Sequence, residues 1–392
     1  MLVGNIVIAV VAVLLTLLAA EPVVRFFQPF DMNERAVAMQ YDAVLGWSKV
    51  PQLRGTYVAG DASVEHFNSR GLRGPEYPYA KPPGQYRILF LGDSFAEGRL
   101  VGFSDTTSEV LKRTLNEAGS SYEVINAGTG GYSTDQELLF FSHEGRKYAP
   151  DLTVLMFYEN DVWYNAQPAS SRGAKPVFRL EGDQLVLTGV PVPREQRERV
   201  NGPSPRTVSR LQGLEDWLRG HSAVYQFLQD NVHHLSPRPA SASAAVPDEF
   251  RVWRRHYDED VRYAWRVTEA LLRELRRQTN EIGSELVVLY VPTAAEVHPE
   301  LWEATKRRYG LSYEDWDVAQ LERELAAVCR RNDISLVDPT TALRAEATKP
   351  WYGRTPLYFE TDPHWTPAGH SVAAMVLAEH IQRPRASARS SP

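Results

Sequence analysis

Three rhythms of apolar and polar positions follow one another along the chain. Leu2 to Ala20 (LVGNIVIAVVAVLLTLLAA) is apolar, carries no charge and is interrupted by a single Asn. Residues 21–84 are rich in Pro, Gly and aromatic side chains and sustain neither a helical nor an alternating period. From Tyr86 onward short apolar runs recur: RILFLG at 87–92, YEVINAG at 122–128, LTVLMFY at 152–158, ELVVLYV at 285–291 and ISLVDP at 334–339. Helix-period sequence fills the intervals. Runs of this kind read as strands buried on both faces, and their alternation with helices predicts βαβ units and a five-stranded parallel sheet.

Helix starts are marked within the intervals. Ser133-Thr-Asp-Gln136 has capping-box spacing, Asp105-Thr-Thr-Ser opens a helix carrying Val110, Leu111 and Leu115, and Thr366-Pro367 opens the last one. Tyr257, Val261, Ala264, Trp265, Leu271, Leu272 and Leu275 fall at helical spacing and are expected in the core. Between the third and fourth strands lies an insertion at about 164–250. It opens with a hairpin around Glu181-Gly-Asp183 and continues through a short helix near Gly213 to Asp230 into a flexible linker, SPRPASASAAVP. His233-His234, with no carboxylates nearby, read as surface residues, and RPRASARSSP as a disordered tail. The expected organisation is an anchor at 1–20, a stalk and irregular lead-in at 21–84, an α/β domain at 85–382 and the tail at 383–392.

Composition narrows the function. Among 392 residues, 43 Lys+Arg against 49 Asp+Glu leave a net charge of −6, without the basic surplus that releases phosphate counterions, so no nucleic-acid partner is expected. Cys329 is the single cysteine, which excludes an intramolecular disulfide and any paired-cysteine metal or redox site. The first apolar run is about long enough to cross a ~30 Å hydrocarbon layer. MLVGN lacks Lys and Arg, and Leu18-Ala19-Ala20 is a poor cleavage site, so a retained single-pass anchor is expected rather than a removed signal peptide. Arg25 alone is a weak vote on orientation. A stalked domain held at a surface suits an envelope glycan or lipid, which places it on the extracytoplasmic face.

In an open parallel sheet the polar residues just after the strands face the ligand crevice. Here they are Gly92-Asp93-Ser94, Asn126-Ala-Gly128-Thr-Gly130-Gly131, Glu159-Asn160-Asp161 and, beyond the fifth strand, Asp362-Pro-His364-Trp365. Ser94 sits where a strand turns into a helix. A serine hydroxyl needs a base to become nucleophilic, and the oxyanion it creates needs donors already in place. His364 is the candidate base and Asp362 the group that orients it, while the Ser94 N–H, the Gly131 N–H and the Asn160 amide are candidate oxyanion donors. His370 is a rival base on a stretch patterned for packing. Asp93 as a phosphoryl acceptor lacks the second Asp two residues on, where Phe95 stands. Asp93, Asp161, Asp362 and His364 show no recognised metal-ligand spacing, so neither a metal nor a cofactor is expected. Arg70-Gly-Leu-Arg73-Gly reads as tight turns with solvated arginines. Tyr158, Trp163 and Trp365 are either walls of an acyl pocket or core.

These segments resemble the SGNH/GDSL hydrolase superfamily. FLGDSFAEG is similar to its first block, with Ser94 as nucleophile, and VINAGTGGYST to its second, with Gly131 as the oxyanion glycine. FYENDV is similar to the third block, with Asn160, and the Asp362/His364 segment to the last. Over about 85–382, outside the insertion, the resemblance implies a flavodoxin-like α/β/α sandwich (the SGNH hydrolase fold) and ester chemistry through an acyl-enzyme. The acid usually stands three residues before the histidine. Here Asp362 stands two before His364, and DPHW is closer to the DxHW of the branch resembling alginate O-acetylation proteins, which moves acetyl groups onto envelope polysaccharides.

The expected function is therefore a membrane-anchored serine esterase hydrolysing an acyl ester, with an O-acetyl ester of a small molecule or glycan as substrate. The alternative is an O-acetyltransferase acting on an envelope polysaccharide. A non-catalytic carbohydrate-binding or scaffold component is the alternative of another class. Protein partners and oligomeric state are not legible.

Overall fold

The computed structural model describes residues 39–59, 61–117, 119–194, 246–349, 356–360 and 362–383, with single positions between 12 and 22 and at 222 and 224. Most of the expected anchor at Leu2–Ala20, most of the helix near Gly213–Asp230, most of the linker, His233-His234 and nearly all of the tail lie outside them. Among the described residues no helix is long and apolar enough to cross a membrane.

The five apolar runs form one parallel sheet: β1 (Tyr86–Leu91), β2 (Tyr122–Asn126), β3 (Leu152–Phe157), β4 (Glu285–Tyr290) and β5 (Ser335–Val337). The spatial order is β5-β4-β3-β1-β2, every neighbouring pair parallel. Read from the other edge this is the flavodoxin-like order, in which the crevice for ligands lies where the winding reverses, beside the ends of β1 and β3. The helices are α1 (Ser94–Glu97), α2 (Thr107–Asn116), α3 (Thr134–His143), α4 (Glu159–Tyr164), α5 (Glu259–Glu281), α6 (Ala294–Val297), α7 (Pro299–Tyr309), α8 (Gln320–Arg331), α9 (Thr340–Ala347) and α10 (Pro367–Gln382).

Strand alternation divides the core into two layers. Ile88, Phe90, Val154, Met156, Val287 and Leu289 pack with Leu111 and Leu115 of α2, Leu343 of α9 and Leu377 of α10. Their neighbours Leu89, Leu91, Leu155, Phe157, Leu286 and Val288 pack with Leu138 and Phe141 of α3, Leu271 and Leu275 of α5 and Leu325 of α8. Each fully buried aliphatic or aromatic side chain contributes about 1.5–3 kcal/mol, so the long apolar runs supply both faces of an α/β/α sandwich. The helical stripe is in the core: Val261, Ala264, Trp265, Leu271, Leu272 and Leu275 are buried on α5. Its N-cap is Asp258, which accepts the Val261 N–H at 3.1 Å, so Tyr257 precedes the helix.

Two helix starts differ from expectation. The Ser133 hydroxyl donates to Asp135, and the Gln136 amide is drawn to the Leu45 carbonyl (2.7 Å), so no capping box closes on α3. At α2 the cap is Thr106, whose hydroxyl oxygen accepts the Glu109 N–H, while Asp105 ends a 3-10 turn before it. The expected hairpin is present, Val177–Glu181 against Gln184–Thr188, with Gly182 at φ +62° in the turn.

The lead-in has more structure than its pattern suggests. Met39–Asp42 pairs with Gly46–Lys49 and Arg54–Ala59 with Asp61–His66. Trp47, Phe67, Leu72 and Tyr77 are buried, and Arg73 bridges to Asn126 at the end of edge strand β2. The expectation of solvated arginines fails at Arg73. Its guanidinium is fully buried and donates to the carbonyls of Glu97 (2.6 Å), Gly98 (2.7 Å) and Val101 (2.7 Å). The Gly98 carbonyl also accepts the Val101 N–H at 3.3 Å, but the turn after α1 gathers more buried carbonyls than local amides, and a planar five-donor cation can satisfy several at once.

Candidate active site

Ser94 opens α1 directly beyond β1. Gly92 makes the turn possible: its φ is +147°, and a Cβ there would meet the Ala96 Cβ at 2.6 Å. Asp93 caps the helix by accepting the Phe95 N–H at 2.8 Å. Burial pushes the Asp93 carboxyl up, opposed by that bond, by His364 and by a hydrogen bond from Asn160.

His364 arrives from the segment between β5 and α10. Its Nε2 lies 2.6 Å from the Ser94 Oγ. Nδ1 on the far side of the ring bonds Asp362 Oδ1, which also accepts the His364 backbone N–H at 3.0 Å. The two-residue spacing is accommodated in this way: the carboxylate folds back over its own turn and meets both the backbone and the ring. Burial alone would raise the Asp362 carboxyl, but the hydrogen bond and charge of His364, with Arg99 nearby, hold it below the usual carboxylate range. Phe95 stacks on the His364 ring (4.7 Å between centroids) and also meets Tyr158 (4.6 Å) and Trp365 (5.3 Å).

Asn160, on α4 after β3, reaches the site through its bond to Asp93, next in sequence to the serine. Gly131 lies in the loop after β2, at φ +80°, with Arg172 packed so closely that a Cβ would meet its Cδ at 2.5 Å. Hydrogen bonds tie this loop to the nucleophile turn through Thr129, whose N–H donates to the Gly92 carbonyl (2.9 Å), and through Gly130, whose N–H donates to Glu97, not through Gly131. Thus Ser94, His364 and Asp362 form one bonded chain, Asn160 joins through Asp93, and Gly131 stands in an adjoining loop.

His370 is elsewhere. Its Nδ1 bonds the Thr107 hydroxyl (2.8 Å), and burial, with the charges of Arg73 and His364, pushes its pKa down to about 3. It is a neutral core histidine. Of the three aromatic candidates, Trp365 is wholly buried core, Trp163 carries Arg251 over its ring at 4.7 Å, and Tyr158 lines a cleft. That cleft, of about 800 Å³, runs past Asp362, Pro363 and Tyr358 toward α7. Among the described residues no three His, Cys, Asp or Glu side chains converge into a metal-holding group.

Sequence reasoning missed the supports. Glu97 accepts the Gly130 N–H and pairs with the buried Lys49 (3.7 Å), which also donates to the Gly128 carbonyl, while Trp47 Nε1 donates to the Gly130 carbonyl at 3.1 Å. Two of these come from the lead-in, far from any motif.

Residues 250–391, which include Asp362 and His364 but not Ser94, match the family model described as SGNH hydrolase-like domain, acetyltransferase AlgX. The chain is similar to the probable alginate O-acetylase AlgJ of Pseudomonas putida, 32% identical over 114 residues, 29% of this chain and 26% of that protein. The match thus spans about a quarter of the relative's length. Solved structures similar to this chain include the acetyl xylan esterase AlAXEase (13% identity, 75% of this chain, 99% of that one, TM-score 0.39). Another is a lipase/acylhydrolase from Enterococcus faecalis (13% identity, 76% of this chain, 95% of that one, TM-score 0.38). The C-terminal part of the chain is thus similar to the SGNH hydrolase superfamily. Within it, the similarity of its C-terminal part is to the alginate O-acetylation branch.

Proposed function

We propose that this protein is an envelope-anchored SGNH-type enzyme that takes an acetyl group from an ester onto Ser94 and passes it to a hydroxyl of an envelope polysaccharide, or to water when no such hydroxyl is bound. The reading is carried by the 2.6 Å approach of the Ser94 Oγ to His364 Nε2, with Nδ1 of the same ring bonded to Asp362. His364 takes the Ser94 proton as Oγ attacks the acetyl carbonyl, and Asp362 stabilises the resulting imidazolium. The N–H groups of Ser94 and Gly131 and the Asn160 amide receive the oxyanion. Collapse of the tetrahedral intermediate breaks the bond to the leaving oxygen, which takes the proton from His364. The acceptor hydroxyl then loses its proton to the same imidazole, attacks the acetyl-serine and restores Ser94.

Transfer is favoured over hydrolysis as the native outcome by the match of residues 250–391 to a family described as an acetyltransferase. The uncharged run Leu2–Ala20 supports a membrane anchor, and an alkaline phosphatase fusion active only outside the cytoplasm tests the orientation. The catalytic reading is tested with the full-length protein in detergent, turning over p-nitrophenyl acetate with and without alginate oligosaccharide. We expect p-nitrophenol release, acetyl on the oligosaccharide and labelling by a fluorophosphonate, all lost in Ser94→Ala. Release without acetylated oligosaccharide would make the enzyme an esterase. Wild type and variant equally inert and unlabelled, with glycan binding intact, would make it a carbohydrate-binding component.

A further inference from the structure

The cleft beside Asp362 holds a carboxyl for which the reaction above has no use. Glu159 opens α4 one residue before Asn160, lines the cleft and is 8% exposed. Its Oε2 is sealed from bulk water and has no hydrogen-bond partner among the described residues. A buried polar atom without a partner is costly. In a cleft wall, that cost is recovered when a ligand bonds to the group.

The surroundings define the ligand. No ion pair among the described residues neutralises Glu159. Burial, followed by the nearby carboxyls of Glu296 and Glu249, holds it well above the carboxylate range against a bond from Tyr158. Burial thus favours its protonated form, which donates an O–H as well as accepting. Tyr309 and Phe250, edge to face at 5.6 Å, add half-buried aromatic surface to the same cleft, and Tyr358 lies near its Asp362 end. Aromatic faces beside a few fixed polar groups suit a sugar ring, whose C–H face is apolar and whose rim carries hydroxyls. Asp362 lines the cleft, and its wall is linked to the reacting groups through Phe95, which packs on Tyr158 and stacks on His364.

We propose that this cleft seats the sugar ring bearing or receiving the acetyl group, and that Glu159 is the positioning residue that hydrogen-bonds a hydroxyl of that ring. The proposal rests on the acyl-transfer reading of Ser94 and adds where the glycan lies. Glu159→Ala removes the bond, whereas Glu159→Gln keeps a neutral donor and acceptor of the same shape. With full-length protein and acetylated xylo-oligosaccharide as probe, Glu159→Ala should raise KM about tenfold with kcat within about threefold, and Glu159→Gln should bring KM back to within about threefold of wild type. The ratio of kcat/KM for the acetylated glycan to that for p-nitrophenyl acetate, which has no sugar, should fall about tenfold in the alanine variant. Unacetylated xylohexaose titrated into the Ser94→Ala protein should bind, and should bind more weakly when Glu159→Ala is added.

Wild-type KM in the alanine variant, or equal losses of kcat at constant KM in both variants, would overturn the positioning role. No xylohexaose binding up to about 10 mM, a limit weaker than about 3 kcal/mol of affinity, would overturn the glycan cleft. Turnover surviving Ser94→Ala would instead overturn the nucleophile assignment, whatever Glu159 does.

Discussion

Asp362→Asn keeps the outline of the side chain and removes its charge. In the native site Asp362 Oδ1 bonds both the backbone N–H and the ring Nδ1 of His364. When the imidazole takes the Ser94 proton, a positive charge forms against this carboxylate. Two opposite charges about 4 Å apart near a protein surface attract by about 4 kcal/mol at an effective dielectric of ~20. The Asp362 side chain is 25% exposed, and solvent screening brings the loss to about 3 kcal/mol, or about 150-fold in rate. The asparagine brings a second fault. Its NH2 can face Nδ1, favouring the tautomer with the proton on Nε2, where the ring cannot accept from serine. Together these lower kcat by on the order of 10²–10⁴ while KM for a small ester changes little. Because His364 holds the Asp362 carboxyl below the usual range, the wild type is fully charged at neutral pH and the contrast with asparagine is complete there. The assay is the pre-steady-state burst of p-nitrophenol from p-nitrophenyl acetate, with circular dichroism confirming the fold. A loss of less than about fivefold would refute the argument, since no charge partner worth 3 kcal/mol could then be missing.

Two further perturbations test the scaffold. His370 is buried with its pKa near 3, against about 6.5 in the unfolded chain. The unfolded state therefore binds a proton that the fold refuses: stability is complete above pH 6.5 and falls by about 1.4 kcal/mol per unit as the pH drops toward 3. His370→Gln should be the less stable protein at pH 8 and should close the gap at that rate between pH 6 and 4 in urea unfolding; a gap independent of pH refutes it. Arg73→Met removes the guanidinium donor from three buried carbonyls, of which Gly98 keeps the Val101 N–H, costing about 3 kcal/mol. A thermal melt should shift by roughly 4–5 °C, and a shift under about 1 °C would show that those carbonyls find other partners.

Why some of this was legible in the sequence and some was not follows from the range of the interactions involved. The strands read correctly because Leu89 and Leu91 face one layer while Ile88 and Phe90 face the other, and a strand buried on both sides can only be an unbroken apolar run. The juxtaposition of Ser94, Asn160 and His364 was open to inference for a related reason. In a parallel sheet every strand ends at the same edge, so residues far apart in sequence converge there without any side-chain detail. The Asp362 spacing looked anomalous because sequence distance says nothing of a carboxylate that turns back to its own backbone. Arg73, Lys49 and Glu97 were illegible for the opposite reason. Each is a charged residue in a Gly-rich stretch, where solvation is the ordinary expectation, and each is buried against main-chain groups 24 to 79 positions away. Nothing local marks such a residue. Its burial is decided by carbonyl and amide groups that the nucleophile turn and the loop at Gly128–Gly131 leave over once they adopt the geometry the site needs. The lead-in is thereby tied to the chemistry: it supplies Lys49 and Arg73 to turns that carry the serine and the adjoining glycines, and those turns would otherwise hold unpaired polar groups away from water.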